Sequence, residues 1–256
     1  MRFALELLAM GNVEKAREMF HEALLRPGVD PHVAARQMLE GGLSPAAVLE
    51  AIPETFPALL TAAIVLRDAE HADEAEQAFL KAARADPRSH VPWAFLSRLA
   101  DSQGRPRQGL EYALHAYTSI GSLTASARSE MLFCAALANV SLGDRPGALS
   151  EASMAIKDTP RDPALRDFTA GLLLQAGRTG EAIEHWRFLL EELSAEPWVE
   201  QHQVDVRKRL AHAYETAELY ASALAQHLEV LRLRPDDPES RDAIARLASG
   251  TRRSPH

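Results

Sequence analysis

The 256-residue sequence predicts an all-α chain of about seven consecutive helix pairs and a closing helix, and three observations carry that prediction. The first is a repeated spacing. A turn residue is followed five positions later by a small residue, and seven positions after that by another small or apolar one. The registers are Gly11, Ala16, Ala23, then Gly42, Ala47, then Glu70, Ala75, Ala82, then Gly104, Gly109, Ala116. They continue as Gly143, Ala148, Ala155, then Gly177, Ala182, Leu189, then Glu218, Ala223, Val230. From Ala16 to Ala223 the small positions step by 31, 28, 34, 39, 34 and 41 residues. The second observation is composition. The chain is 46% hydrophobic but only 6% aromatic, which suits close helix contact better than a large compact core. The third is punctuation by glycine and proline at the ends of the periodic segments.

Each register has the same physical content. Before the turn residue lie about three turns of helix with apolar residues at i, i+3 and i+7, as in Trp93, Leu96 and Ala100. Gly11, Gly104, Gly143 and Gly177 end that helix, because glycine takes the left-handed conformation of a C-terminal cap without penalty. Ser44-Pro45, Asp73, Asp144 and Thr179 are expected to start the second helices, with Pro45 placed where a missing N–H costs nothing. The small residue inside the second helix lets the backbone of the first come close. Pro87, Pro160 and Pro235 then close a unit and open the next.

This pattern resembles the tetratricopeptide repeat, whose signature is W-x2-L-G-x2-Y, A-x3-F and P over 34 residues. Residues 56–89 carry Ala75, Phe79, Ala82 and Pro87, and residues 90–123 carry Trp93 and Leu96, with Ser97 in the place of the usual glycine. Residues 129–162 carry Leu132, Ala136, Gly143, Ala148, Ala155 and Pro160, and residues 163–196 carry Ala170, Ala182 and Trp186. Residues 204–237 carry Leu210, Ala211, Tyr214, Ala223 and Pro235. The resemblance implies a right-handed superhelical solenoid over residues 1–250, a single domain, with a cap helix at 238–249 and a disordered tail at 251–256. Its first two repeats are 1–27 and a short, divergent 28–55 whose second helix stops at Pro53. Residues 124–128 and 197–203, the latter with Pro197 and Trp198, are expected to lengthen two junctions.

Several functions are disfavoured by the same sequence. The net charge of -8 is spread evenly, -3 over residues 1–128 and -5 over residues 129–256, so no basic face is concentrated for nucleic acid. There is no G-x-x-x-x-G-K-[ST], G-x-S-x-G, H-E-x-x-H or C-x-x-C. The single cysteine, Cys134, sits among Phe133, Ala135 and Ala136 and reads as core. The ten histidines are scattered, with His21, His115, His185 and His227 recurring at similar points of second helices as packing residues. No apolar run reaches the roughly 20 residues of a membrane span. Glu6 interrupts the apolar N-terminal run, which reads as an amphipathic helix and not as a secretion signal. Met1 falls partway into the first helix, leaving open a short first helix or a piece of a longer protein.

What remains is surface. The resemblance implies that the first helices line a concave face that holds peptides or partner helices. Helical spacing then nominates Leu60, Ile64, Arg67, Arg98, Asp101, Phe133, Leu137, Val140, Asp167, Lys208 and His212 as partner-binding residues. The expectation is a non-catalytic protein-interaction scaffold with no cofactor, no metal and no nucleic acid. It is cytoplasmic if complete, and periplasmic if cut from a larger protein. The alternative is an accessory domain of a bacterial glycosyltransferase or polysaccharide polymerase whose catalytic part lies elsewhere.

Overall fold

The computed structural model describes residues 1–193 and 200–250, and those residues form helices and short connections with no strand. The helices are α1 (Arg2–Ala9), α2 (Val13–Leu24), α3 (Pro31–Glu40), α4 (Pro45–Ala51), α5 (Phe56–Asp68), α6 (Ala72–Ala85), α7 (Val91–Ser102) and α8 (Pro106–Ser119). They continue as α9 (Ala125–Leu142), α10 (Arg145–Asp158), α11 (Pro163–Gln175), α12 (Thr179–Leu193), α13 (Glu200–Thr216), α14 (Tyr220–Leu233) and α15 (Pro238–Gly250). The chain divides into two compact units, Met1–Leu142 and Gly143–His256. Pro197 and Trp198 lie outside the described residues, as does the tail at 251–256.

In the first unit, consecutive helices pack as antiparallel pairs. First helices also meet first helices, α3 on α5 and α7 on α9, while α2 and α6 both pack on α4. That double neighbour pattern is what a stack requires. One apolar cluster runs from Ala4 to Leu99, with Phe20, Met38 and Phe79 as its largest fully buried side chains. A second joins Ala94, Ala113, Ala116, Met131, Cys134 and Ala135 where α7, α8 and α9 converge. In the second unit α11 packs on α10 and α12, α13 on α12 and α14, and α15 on α14. Its core centres on Trp186 with Leu173, Ile183, Leu189 and Leu210.

The turn residues of all seven registers are left-handed. Gly11, Gly42, Gly104, Gly143 and Gly177 have φ between 71° and 93°, and Glu70 and Glu218 have φ of 64° and 60°. At Gly104 the amide donates to the carbonyl of Asp101 and the next amide, Arg105, donates to that of Ala100. The same pair of bonds closes the helix at Glu218, from its own amide to Glu215 and from Leu219 to Tyr214. This is the Schellman cap, which satisfies carbonyls that a helix end leaves open. A side chain in that conformation costs about 1–2 kcal/mol. Glu218→Gly is therefore expected to stabilise the second unit by about 0.5–1 kcal/mol once the extra freedom of unfolded glycine is subtracted. Denaturant unfolding checks this; a loss of stability on Glu218→Gly would contradict it.

The starts of the second helices correct one expectation, at Asp73. Ser44 and Asp144 do cap, accepting bonds from the amides of Ala47 and Gly147. Asp73 does not: α6 begins at Ala72, and Asp73 lies in its first turn, where its charge favours the positive helix end. Thr179 is, as expected, the first residue of α12. Asp30 and Asp162 are caps as well, accepting from His32 and Leu165. The residues expected to lengthen the junction at 124–128 open α9. Thr124 caps through its hydroxyl, accepting from Ala127 at 3.2 Å, and 125–128 are the first turn of the 18-residue α9.

Candidate partner-binding face

The first unit holds eight of the nominated residues, on α5, α7 and α9. Leu60 and Ile64 are half-buried and pack against the large apolar cluster. Arg67 lies over the ring of Phe95, 5.0 Å from its centroid, and donates to Asp68 at 2.9 and 2.7 Å. Phe95 in turn stacks on Phe79 with centroids 5.0 Å apart, so the guanidinium caps an aromatic column that starts in the core. Arg98 is exposed and donates to Glu130 of α9 at 3.0 Å, and the other oxygen of Glu130 lies 3.1 Å from His90 Nε2. Asp101 is half-buried, with one carboxylate oxygen shielded from solvent and lacking a hydrogen bond. Phe133 and Leu137 are half-buried on α9, and Val140 is 41% exposed. Ala94, which helical spacing also puts on this face, is instead only 2% exposed and belongs to the α7–α8–α9 cluster.

In the second unit two of the three nominated residues, Asp167 and Lys208, are engaged by neighbouring helices. The Asp167 carboxylate accepts from Trp186 Nε1 at 2.8 Å through one oxygen and from Arg209 through the other. Both oxygens are thus engaged within the unit. Lys208 Nζ is held by Asp237 at 2.6 Å and Glu239 at 2.8 Å, tying α13 to the start of α15. His212 alone of the three is exposed.

Two polar nodes escaped sequence reasoning. Glu76 on α6 accepts from Arg105 at 2.6 Å, Tyr112 at 2.7 Å and Gln108 at 3.1 Å. The Arg105 hydrogen bond holds its carboxyl below the ordinary range, outweighing the opposing effect of burial. Glu215 on α13 receives Arg246 of α15 at 2.6 and 3.1 Å, and that bond likewise lowers its pKa. Neither node leaves a local signal, because the partners of Glu76 and Glu215 lie 29 to 36 residues further along the chain.

Burial pushes the Cys134 thiol up to about 11, which leaves it protonated and unreactive at neutral pH. Among the described residues no group of three His, Cys, Asp or Glu side chains is placed to hold a metal ion. His21 Nδ1 donates to the carbonyl of Ala51 at 3.0 Å, His115 packs on Trp93 at 4.6 Å, and burial foremost lowers the pKa of His185. Among the described residues no helix is long and apolar enough to cross a membrane.

No protein-family model matches the chain, and no curated protein matches it in sequence. Solved structures do. The C-terminal part of a TPR repeat-containing protein from Cytophaga hutchinsonii is similar at TM-score 0.64 and 14% identity, covering 95% of this chain and 98% of that one. PilW, a type IV pilus biogenesis factor, is similar at 0.62 and 15% identity, covering 91% and 98%. YrrB, a TPR protein with an unusual peptide-binding site, is similar at 0.57 and 15% identity, covering 78% and 97%. The fold is therefore that of the tetratricopeptide-repeat helix-pair solenoid.

Proposed function

We propose that the chain is a non-catalytic protein-interaction scaffold that holds a peptide or partner helix on the first-helix face of its first unit. The observation that carries this reading is the set of half-buried or exposed apolar side chains on α5 and α9. Leu60, Ile64, Phe133 and Leu137 are half-buried, and Val140 is exposed beside them in sequence register. Arg67 and Arg98 are held in place by Asp68, Phe95 and Glu130, so a partner meets them already ordered. Preordered aromatic and arginine anchors are the residues that most often dominate binding energy. The peptide-binding site of YrrB and the description of PilW as a type IV pilus biogenesis factor support the same class of function.

The test uses Phe133→Ala combined with Val140→Glu. Arg98 is a poor probe, because reversing its charge sets a second carboxylate against Glu130. The double variant is expected to weaken binding of the partner captured from the native organism by tenfold or more. Its melting temperature should stay near that of the parent, since Val140 is exposed and Phe133 only half-buried. Undiminished affinity in a folded double variant would remove this face from the account.

A further inference from the structure

The cleft between α13 and α15 has features that the apolar face of the first unit does not explain. Its volume is about 380 Å³, within the range of small-ligand pockets. Lys208 and Glu215 line it from α13, and Glu239, Asp242 and Arg246 line it from α15. His227 of α14 forms part of the lining and is only 5% exposed. Its Nδ1 meets Ser240 Oγ at 3.2 Å, which leaves Nε2 without a hydrogen bond, 3.4 Å from Glu215 Oε1. An unsatisfied buried polar atom costs about 1–3 kcal/mol, so a native structure that keeps one calls for an explanation.

The charges decide what would fit. Lys208 is already shared by Asp237 and Glu239, and Arg246 is engaged by Glu215. Asp242 is exposed, and no ion pair to it is found among the described residues. With Asp237 included, four carboxylates face two cations, an excess of two negative charges before the imidazoles are counted. An anion would meet cations that are already neutralised. A cation would find Asp242 and Glu239 at the rim and the imidazole and Glu215 below.

We propose that this cleft is a second binding site, one that receives the guanidinium or ammonium group of a basic side chain presented by a protein partner. A guanidinium suits it best, because its planar set of donors can span a carboxylate and a second acceptor at once. The site lies wholly in the second unit, so it stands or falls separately from the apolar face proposed for the first.

The experiment is a titration of the isotopically labelled full chain with N-acetyl-arginine-methylamide, read by backbone and imidazole NMR signals. Saturable shifts are expected at His227, Asp242 and Glu239, with a Kd on the order of 1–10 mM for so small a probe. N-acetyl-glutamate-methylamide should leave those signals in place. Asp242→Lys, which removes the charge excess at an exposed position, should weaken arginine binding tenfold or more. Asp242→Asn should weaken it severalfold and serves if the lysine variant fails to fold. The proposal is overturned if arginine shifts fail to saturate, if the glutamate probe binds equally, or if folded Asp242 variants bind arginine as the parent does.

Discussion

Replacing Trp186 with alanine is expected to cost the second unit about 3–5 kcal/mol, the range for deleting a fully buried aromatic side chain. Trp186 is 1% exposed and sits at the centre of the cluster formed by Leu173, Ile183, Leu189 and Leu210. Its loss removes the apolar contacts of α12 with α11 and α13 together. It also takes a donor from Asp167, whose carboxylate then relies on Arg209 alone. Trp186→Phe separates the two effects. It keeps most of the volume and gives up only the N–H, so it should cost about 1 kcal/mol, the net worth of one such bond. Urea unfolding of the intact chain with both variants checks the order. Equal and small losses for the two would mean that this side chain is not the centre of its core.

Gly109→Ala is expected to cost the first unit about 1–3 kcal/mol through overpacking, against the ordinary trend. In an exposed helix interior, glycine to alanine gains about 1 kcal/mol. Here a Cβ would stand 2.8 Å from the backbone carbonyl oxygen of Ser97, an atom that cannot move unless α7 moves with it. Gly109 occupies the small position of its register, so the departure at Ser97 and the glycine at 109 face each other across one helix contact. The effect should be local. Hydrogen exchange is expected to accelerate first in α7 and α8 and leave the second unit unchanged, because each pair mostly touches its neighbours. A gain in stability would show that α7 and α8 are less closely packed than the contact implies.

The repeat was legible because its requirements leave traces in residue type or in phase. A left-handed cap favours glycine, and where the residue is Glu70 or Glu218 the phase still locates it. Close helix contact requires a small side chain, and Ala16, Ala75, Ala148, Ala182 and Ala223 are all fully buried. The helix start at Asp73 was read one residue late, because α6 begins at Ala72 behind His71, which makes no side-chain cap bond. The site was legible only as a face. Which oxygen of Asp167 meets which donor depends on Trp186 and Arg209, 19 and 42 positions away, and no local period encodes that. The nodes at Glu76 and Glu215 were missed for the same reason. Their partners lie 29 to 36 residues on, and only packed helices bring them together.

The central claim is that this chain holds a protein segment on the first-helix face of its first unit. Hydrogen exchange on the intact chain, with and without a peptide selected for binding from a display library, tests it most directly. Scaffold binding to that face predicts slowed exchange in α5, α7 and α9, with α6 and α8 unaffected. It also predicts that the slowing disappears in the Phe133→Ala, Val140→Glu variant. Slowed exchange confined to α2, α4, α6 or α8 would place the partner on the opposite helices and contradict the account.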